Sequence, residues 1–254
     1  CGQKGVEIMH VRKTTLIKGL IYKSFILNLK ETLVFFMVTI IFILVGILIE
    51  LSIKYGNLGD RGYESLLSNP VLSIMVIYYP SMFITASCIM GSSTIVKDKK
   101  SGWIKFQYAS PVNEKDVAAA EYLLVAIGWI IGTALSVANM AMFYAIEGQN
   151  LSQRNISVIL LITILAVLFN NYTSIMSKIF SANIAVISLF IVFFICFAAF
   201  LILKCLFGLS IEDLIPVFNT ICDKFIFFAV PVFIIINVAG YFITVALFKR
   251  RKVV

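Results

Sequence analysis

Six long apolar runs divide this sequence: roughly 33–53, 71–96, 117–146, 156–176, 184–203 and 225–248. An α-helix needs ~20 apolar residues to cross ~30 Å of hydrocarbon, and each run is near or above that length. A soluble domain carrying six such stretches would aggregate. The sequence therefore predicts an all-α, polytopic membrane protein with six transmembrane helices. Composition agrees, with 61% hydrophobic and 13% charged residues, against about 45–50% and about 25% in soluble chains. The segments between the runs are too short to fold alone, so residues 9–254 read as one membrane domain.

The net charge of +8 raises nucleic acid as a partner, but the distribution argues against it. With alternating spans, 16 of the 21 Lys and Arg residues gather on one side: the N-terminal segment, 97–115, Lys178 and 249–252. The other side holds Lys54, Arg61, Arg154, Lys204 and Lys224. The positive-inside rule then places both termini in the cytoplasm.

Residues 14–30 alternate Leu16, Leu20, Ile21 and Leu27 with Lys18, Lys23 and Lys30. This reads as a basic amphipathic helix in the cytoplasmic interface, its lysines toward anionic headgroups. The plainer reading is an extension of the first span. Cys1-Gly2 looks like the start of a mature lipoprotein, which would put the N-terminus outside, against the charge count. Residues 1–8 are better read as leader or vector-derived residues ahead of a start at Met9. The segment 204–224 mixes apolar residues with Glu212, Asp213 and Pro216, and predicts short helices of an outer re-entrant loop. Cys205 and Cys222 fall in it, which allows a bridge; spacing cannot fix pairing, so two unpaired thiols are the plainer reading.

The segment from Val96 to Leu124 carries the most information. Ser101-Gly102 breaks the chain, and Trp103, Phe106 and Tyr108 then supply aromatic mass beside Lys105. Pro111 ends that piece, because the residue before a proline is pushed out of the α region. Asn113 can cap the next helix, with Asp116 near its positive end. The predicted shape is a short helix along the membrane (98–109), a proline turn and then the third span.

This pattern resembles the membrane subunits of ABC-2 type ATP-binding-cassette exporters. The elements that carry the resemblance are Asp98-Lys99-Lys100-Ser101-Gly102-Trp103, Phe106, Ser110-Pro111-Val112-Asn113 and the run through Glu121-Tyr122-Leu123. The six-span plan and the N-terminal helix match as well. Among Gram-positive bacteria the chain looks most like permeases that export amphipathic peptides, such as the phenol-soluble modulin exporters. The resemblance implies a multi-pass permease of the bacterial cytoplasmic membrane. Two copies, identical or paralogous, would pair through the first and fifth spans and recruit two ABC ATPase subunits. ATP and magnesium would bind those subunits, and this chain would carry no cofactor. The short helix would be the coupling helix, with Trp103 and Phe106 as anchors in an ATPase groove. Asp98, Lys99, Lys100, Ser101, Gly102, Lys105 and Tyr108 would surround them. The plainer reading of that helix puts its aromatics at headgroup level. The cargo implied is an amphipathic peptide, with a small lipophilic drug or a non-transporting immunity role as alternatives.

Several chemistries are missing from the sequence. There is no GxxxxGK[ST], so no P-loop. The lone histidine, His10, lies outside the apolar runs, which removes HExxH and Ser–His readings. No charged residue falls near the middle of a run, which weakens an ion-coupled carrier. The mid-run polar residues Asn139, Asn170, Asn171 and Asn237 are read first as interhelical hydrogen-bonding groups. Their sharper reading is the lining of a translocation path between protomers.

Overall fold

The computed structural model describes residues 2–56, 73–89, 113–180, 182–207 and 211–251. Among these residues all regular structure is helical. Helix α1 spans Gly2–Tyr55. Helix α2 opens with a π-helical turn, Ile74–Tyr78, and runs on as Tyr79–Ile89. Helices α3 (Glu114–Glu147), α4 (Gln153–Ile179), α5 (Ala182–Phe207) and α6 (Ile211–Arg251) follow.

Among the described residues, four stretches are long and apolar enough to cross a membrane: Thr32–Tyr55, Glu114–Glu147, Gln153–Ile179 and Asn219–Lys249. The described apolar stretches of α2 and α5, Ile74–Ile89 and Asn183–Val192, are shorter. The membrane class and the all-α architecture are therefore as the sequence predicts.

The described residues of two segments singled out in the sequence belong to longer helices. The interfacial helix over 14–30 does not separate from the first span, because α1 is one helix of 54 residues. Between Leu20 and Val45 there is neither Gly nor Pro to break it. Two of its buried polar residues bond to their own helix: Asn28 Nδ2 donates to the Ser24 carbonyl at 3.0 Å, and Thr39 Oγ1 to that of Phe35 at 2.8 Å. Within 204–224, the described residues belong to longer helices. Residues up to Phe207 end α5, and those from Ile211 open α6. Pro216 and Pro231 lie inside α6.

Helix α3 starts where the sequence places it. Asn113 is its N-cap, with Oδ1 accepting from the Lys115 amide at 3.3 Å. Glu114 and Asp116 sit at the positive end of the helix dipole. It stops at Gly148, whose φ of 73° lies in the left-handed region that a Cβ disfavours. The Gln149 amide then reaches back to the Tyr144 carbonyl at 2.9 Å, which closes the end. Residues 148–152 turn the chain into α4, where Ser152 caps by accepting from the Asn155 amide.

The contacts fix the helix directions. α1 runs parallel to α3: Lys54 Nζ donates to the Ile146 carbonyl at 2.8 Å, and Gly46 lies against Phe143. α4 runs parallel to α6, from Arg154 bonded to Asn219 at one end to Lys178 bonded to Thr244 at the other. α2 runs antiparallel to α3, since Ser81 meets Ser136 and Thr85 meets Gly132.

The core has two parts. One gathers Ile53, Val76, Ile77, Met140, Phe143 and Ile159 at the end where α3 stops. The other gathers Ile89, Val125, Trp129, Ile164, Val167, Ala229 and Phe233. Trp129 stacks on Phe233 with ring centroids 3.9 Å apart, and its Nε1 donates to Thr163 Oγ1 at 3.2 Å. A buried indole that packs and also satisfies its N–H fixes three helices at one point. α1 contributes little to this core: only 11% of its most apolar window is buried, so most of its surface is left to face lipid.

Candidate functional site

The predicted coupling residues Asp98, Lys99, Lys100, Ser101, Gly102, Trp103, Lys105, Phe106 and Tyr108 lie outside the described residues. The structure does show what they lead into. The chain from that segment enters α3 at Asn113, and α3 touches α1, α2, α4 and α6. Whatever displaces the start of α3 therefore displaces the centre of the bundle.

Toward α2, the contact is backbone on backbone. Gly128 and Gly132 stand four residues apart, with Ser136 one further turn along. A Cβ on Gly132 would sit 2.8 Å from the Thr85 Cα, and one on Gly128 would strike the Cys88 carbonyl. Ser136 Oγ donates to the Ser81 carbonyl at 3.1 Å. Lipid supplies no hydrophobic drive between helices, so close approach of small residues is what holds such a pair.

Toward α4 and α6, the contact is a buried polar cluster seven residues into α3. Lys178 of α4 is 1% exposed and Glu121 of α3 is 11% exposed. Lys178 Nζ reaches both carboxylate oxygens of Glu121, at 2.6 and 2.8 Å. Ser174 Oγ donates to Glu121 Oε1 at 2.6 Å. Lys178 Nζ also donates to Thr244 Oγ1 of α6 at 3.3 Å, and Thr244 pairs with the Tyr122 hydroxyl at 3.2 Å. The ammonium lies 5.7 Å from the centre of the Phe248 ring. A charge this buried is tolerable only when paired and hydrogen-bonded, and both conditions are met.

The four asparagines divide. Asn171 of α4 and Asn237 of α6 each precede a member of the Lys178–Thr244 contact by seven residues. Seven residues are two turns, so both fall on the same seam, about 10 Å further in. Asn171 Nδ2 and Asn237 Oδ1 have no hydrogen-bond partner among the described residues. Asn237 Nδ2 donates to the Phe233 carbonyl at 3.1 Å. Asn139 is buried on α3, eighteen residues beyond Glu121 and so about 27 Å along the axis. Both its side-chain polar atoms lack a partner among the described residues. Asn170 is half-buried, and its carbonyl accepts from Thr173 Oγ1 at 3.0 Å. The structure thus brings Asn171 and Asn237 to one seam and sets Asn139 apart. No group of His, Cys, Asp and Glu that could hold a metal occurs among the described residues. Cys222 is a buried free thiol.

The family model of ABC-2 family transporter proteins matches residues 61–249, about three quarters of the sequence. The chain belongs to this family. No curated protein and no solved structure matches it. As an ABC-2 family transporter protein it is a membrane protein, in keeping with its apolar helices.

Sequence reasoning missed two features of this ABC-2 protein. Gly128-Trp129-Ile130-Ile131-Gly132 is a small-xxx-small pattern inside an apolar run, and that signal was available. Lys178 is counted in the sequence only as one of the basic residues on the cytoplasmic side, yet it is buried against Glu121. Its signal was weaker: one acid and one base, each just inside neighbouring ends of a helical hairpin.

Proposed function

We propose that this chain is the permease subunit of an ATP-driven exporter that moves amphipathic peptides, of the phenol-soluble modulin or antimicrobial type, out of a bacterial cell. It crosses the cytoplasmic membrane six times with both termini inside. Two copies, identical or paralogous, work with two separate ABC ATPase subunits. Family membership over residues 61–249 carries the reading. The charge asymmetry and the alternating helix directions support the topology.

The geometry supports a route for force. The ATPase grips the segment 98–109 through Trp103 and Phe106. α3 begins five residues later, moves with α2 through the glycine seam, and pulls on α4 and α6 through Glu121 and Lys178. The interior supports an amphipathic cargo. Glu50 and Lys178 are the buried charged residues among those described, and Lys178 is already paired. The cargo path follows the α4–α6 seam, where Asn171 and Asn237 keep an unpartnered donor and acceptor.

The test is purification of the full chain from its own membranes. An ABC ATPase should co-elute with the wild-type chain and should be lost from Trp103→Ala with Phe106→Ala. Inside-out vesicles should then take up a labelled amphipathic peptide only with ATP, and Asn171→Leu with Asn237→Leu should lower that uptake without lowering the melting temperature. Co-elution that survives the double alanine change would overturn the coupling assignment. ATP-driven uptake of a lipophilic dye but not of peptide would overturn the cargo.

A further inference from the structure

Helix α2 is irregular where it opens. Its turn Ile74–Tyr78 is π-helical, and the Tyr79 amide donates to the Ile74 carbonyl, five residues back. Pro80 follows directly. In a regular α-helix its ring would strike the carbonyl four residues back, that of Val76, and it offers that carbonyl no N–H. A membrane helix accommodates such a proline in one of two ways. It widens the turn, as here, or it stays α-helical, kinks, and takes a donor from a neighbouring helix for the freed carbonyl.

The wide turn is held from two sides. Val76 fills a notch in α1: a Cβ on Gly46 would collide with Val76 Cγ1 and lie 3.2 Å from Val76 Cβ. Behind the turn, Ser81 Oγ donates to the Ile77 carbonyl at 2.6 Å, and Ser136 Oγ of α3 donates to the Ser81 carbonyl at 3.1 Å.

α3 holds a donor for the other arrangement. Asn139 follows Ser136 by three residues and precedes Phe143 by four, so the three share one face of the helix. Ser136 meets Ser81, while Phe143 and Val76 both reach Gly46. Asn139 is therefore level with the stretch between Val76 and Ser81. It is 6% exposed, and neither of its side-chain polar atoms has a partner among the described residues. A buried amide in that condition costs free energy.

We propose that the opening turn of α2 is a two-position joint. In one position it is the π turn of this structure, with Val76 in the Gly46 notch. In the other it is α-helical and kinked at Pro80, and Asn139 Nδ2 donates to the Val76 carbonyl. Passing between them turns Ser73 and Ile74 by about one residue, roughly 100°. That draws Val76 out of its notch and loosens α1 from α2. The contacts of Thr85 with Gly132 and of Ser81 with Ser136 lie beyond Pro80 and are kept. The joint owes nothing to the transport reading and can fail without it.

Double electron–electron resonance on the full-length chain in lipid nanodiscs tests it. Spin labels are carried on p-acetylphenylalanine in place of Ile74 and Ile221, both exposed, so the native cysteines stay. A side chain at a radius of roughly 5–6 Å moves about 8 Å through that turn. The wild type should show mainly one distance. Gly46→Ala closes the notch and Pro80→Ala restores the missing N–H. Each should carry at least half of the molecules to a second distance. Adding Asn139→Leu should at least halve the second population in Gly46→Ala. It should leave that of Pro80→Ala unchanged, because there the alanine amide answers Val76. The wild-type distance kept in either variant, or failure of Asn139→Leu to separate the two, would overturn the joint. Pro80→Ala leaves the packing around Gly46 untouched, so it decides the matter even where Gly46→Ala folds poorly.

Discussion

Helix α3 meets its neighbours in two different ways. On the α2 side, Gly128, Gly132 and Ser136 bring backbone against backbone, with no long side chain between. On the α4 and α6 side, the contact consists of side-chain ends: Glu121, Ser174, Lys178, Thr244 and Tyr122. The first kind resists sliding, because any shift drives main-chain atoms together. The second kind has discrete alternatives, since hydroxyls and an ammonium can exchange partners by changing rotamer. Under the proposed function, α2 and α3 travel as one body, and the polar cluster is where α4 and α6 can change their relation to it.

The contrast can be broken from either side, and the polar side should break hardest. Lys178→Met leaves Glu121 buried without its partner and should cost about 3–5 kcal/mol, read as a lowered unfolding midpoint in detergent. Adding Glu121→Leu should recover most of that loss, because removing both charges of a buried pair is often neutral. On the dry side, Gly128→Val overfills the α2 contact and should cost about 1–3 kcal/mol in the same assay. Gly19→Val, with nothing near its Cβ position, should be silent there. Thr244→Val removes one hydroxyl from the cluster and should cost about 0.6 kcal/mol, the mean for interhelical hydrogen bonds in membranes. The smallest effect belongs to Asn139→Leu. With both polar atoms unpartnered among the described residues, replacement by a leucine of the same branched shape should be neutral or stabilising.

These same residues show what could be read before the structure. The apolar runs announce the all-α membrane class because lipid admits few other spanning structures. The start of α3 was legible, since Pro111, Asn113 and Asp116 each act within one turn. The glycine seam was visible as a pattern, but its partner helix was not, because spacing on one helix says nothing about what faces it. The Glu121–Lys178 pair joins residues 57 apart, and only the folded hairpin brings them together. Unbroken α1 shows the opposite limit: lysines at 18, 23 and 30 suggest a change of solvent, but continuity of a helix is decided by its breakers.

The central claim is that a nucleotide-hydrolysing partner grips the segment just before α3. The most direct measurement is photocrosslinking in intact cells with benzoyl-phenylalanine in place of Trp103. The account predicts one dominant protein adduct, whose partner yields a Walker A peptide on digestion. Adducts to lipid alone, or to a protein without that peptide, would contradict it.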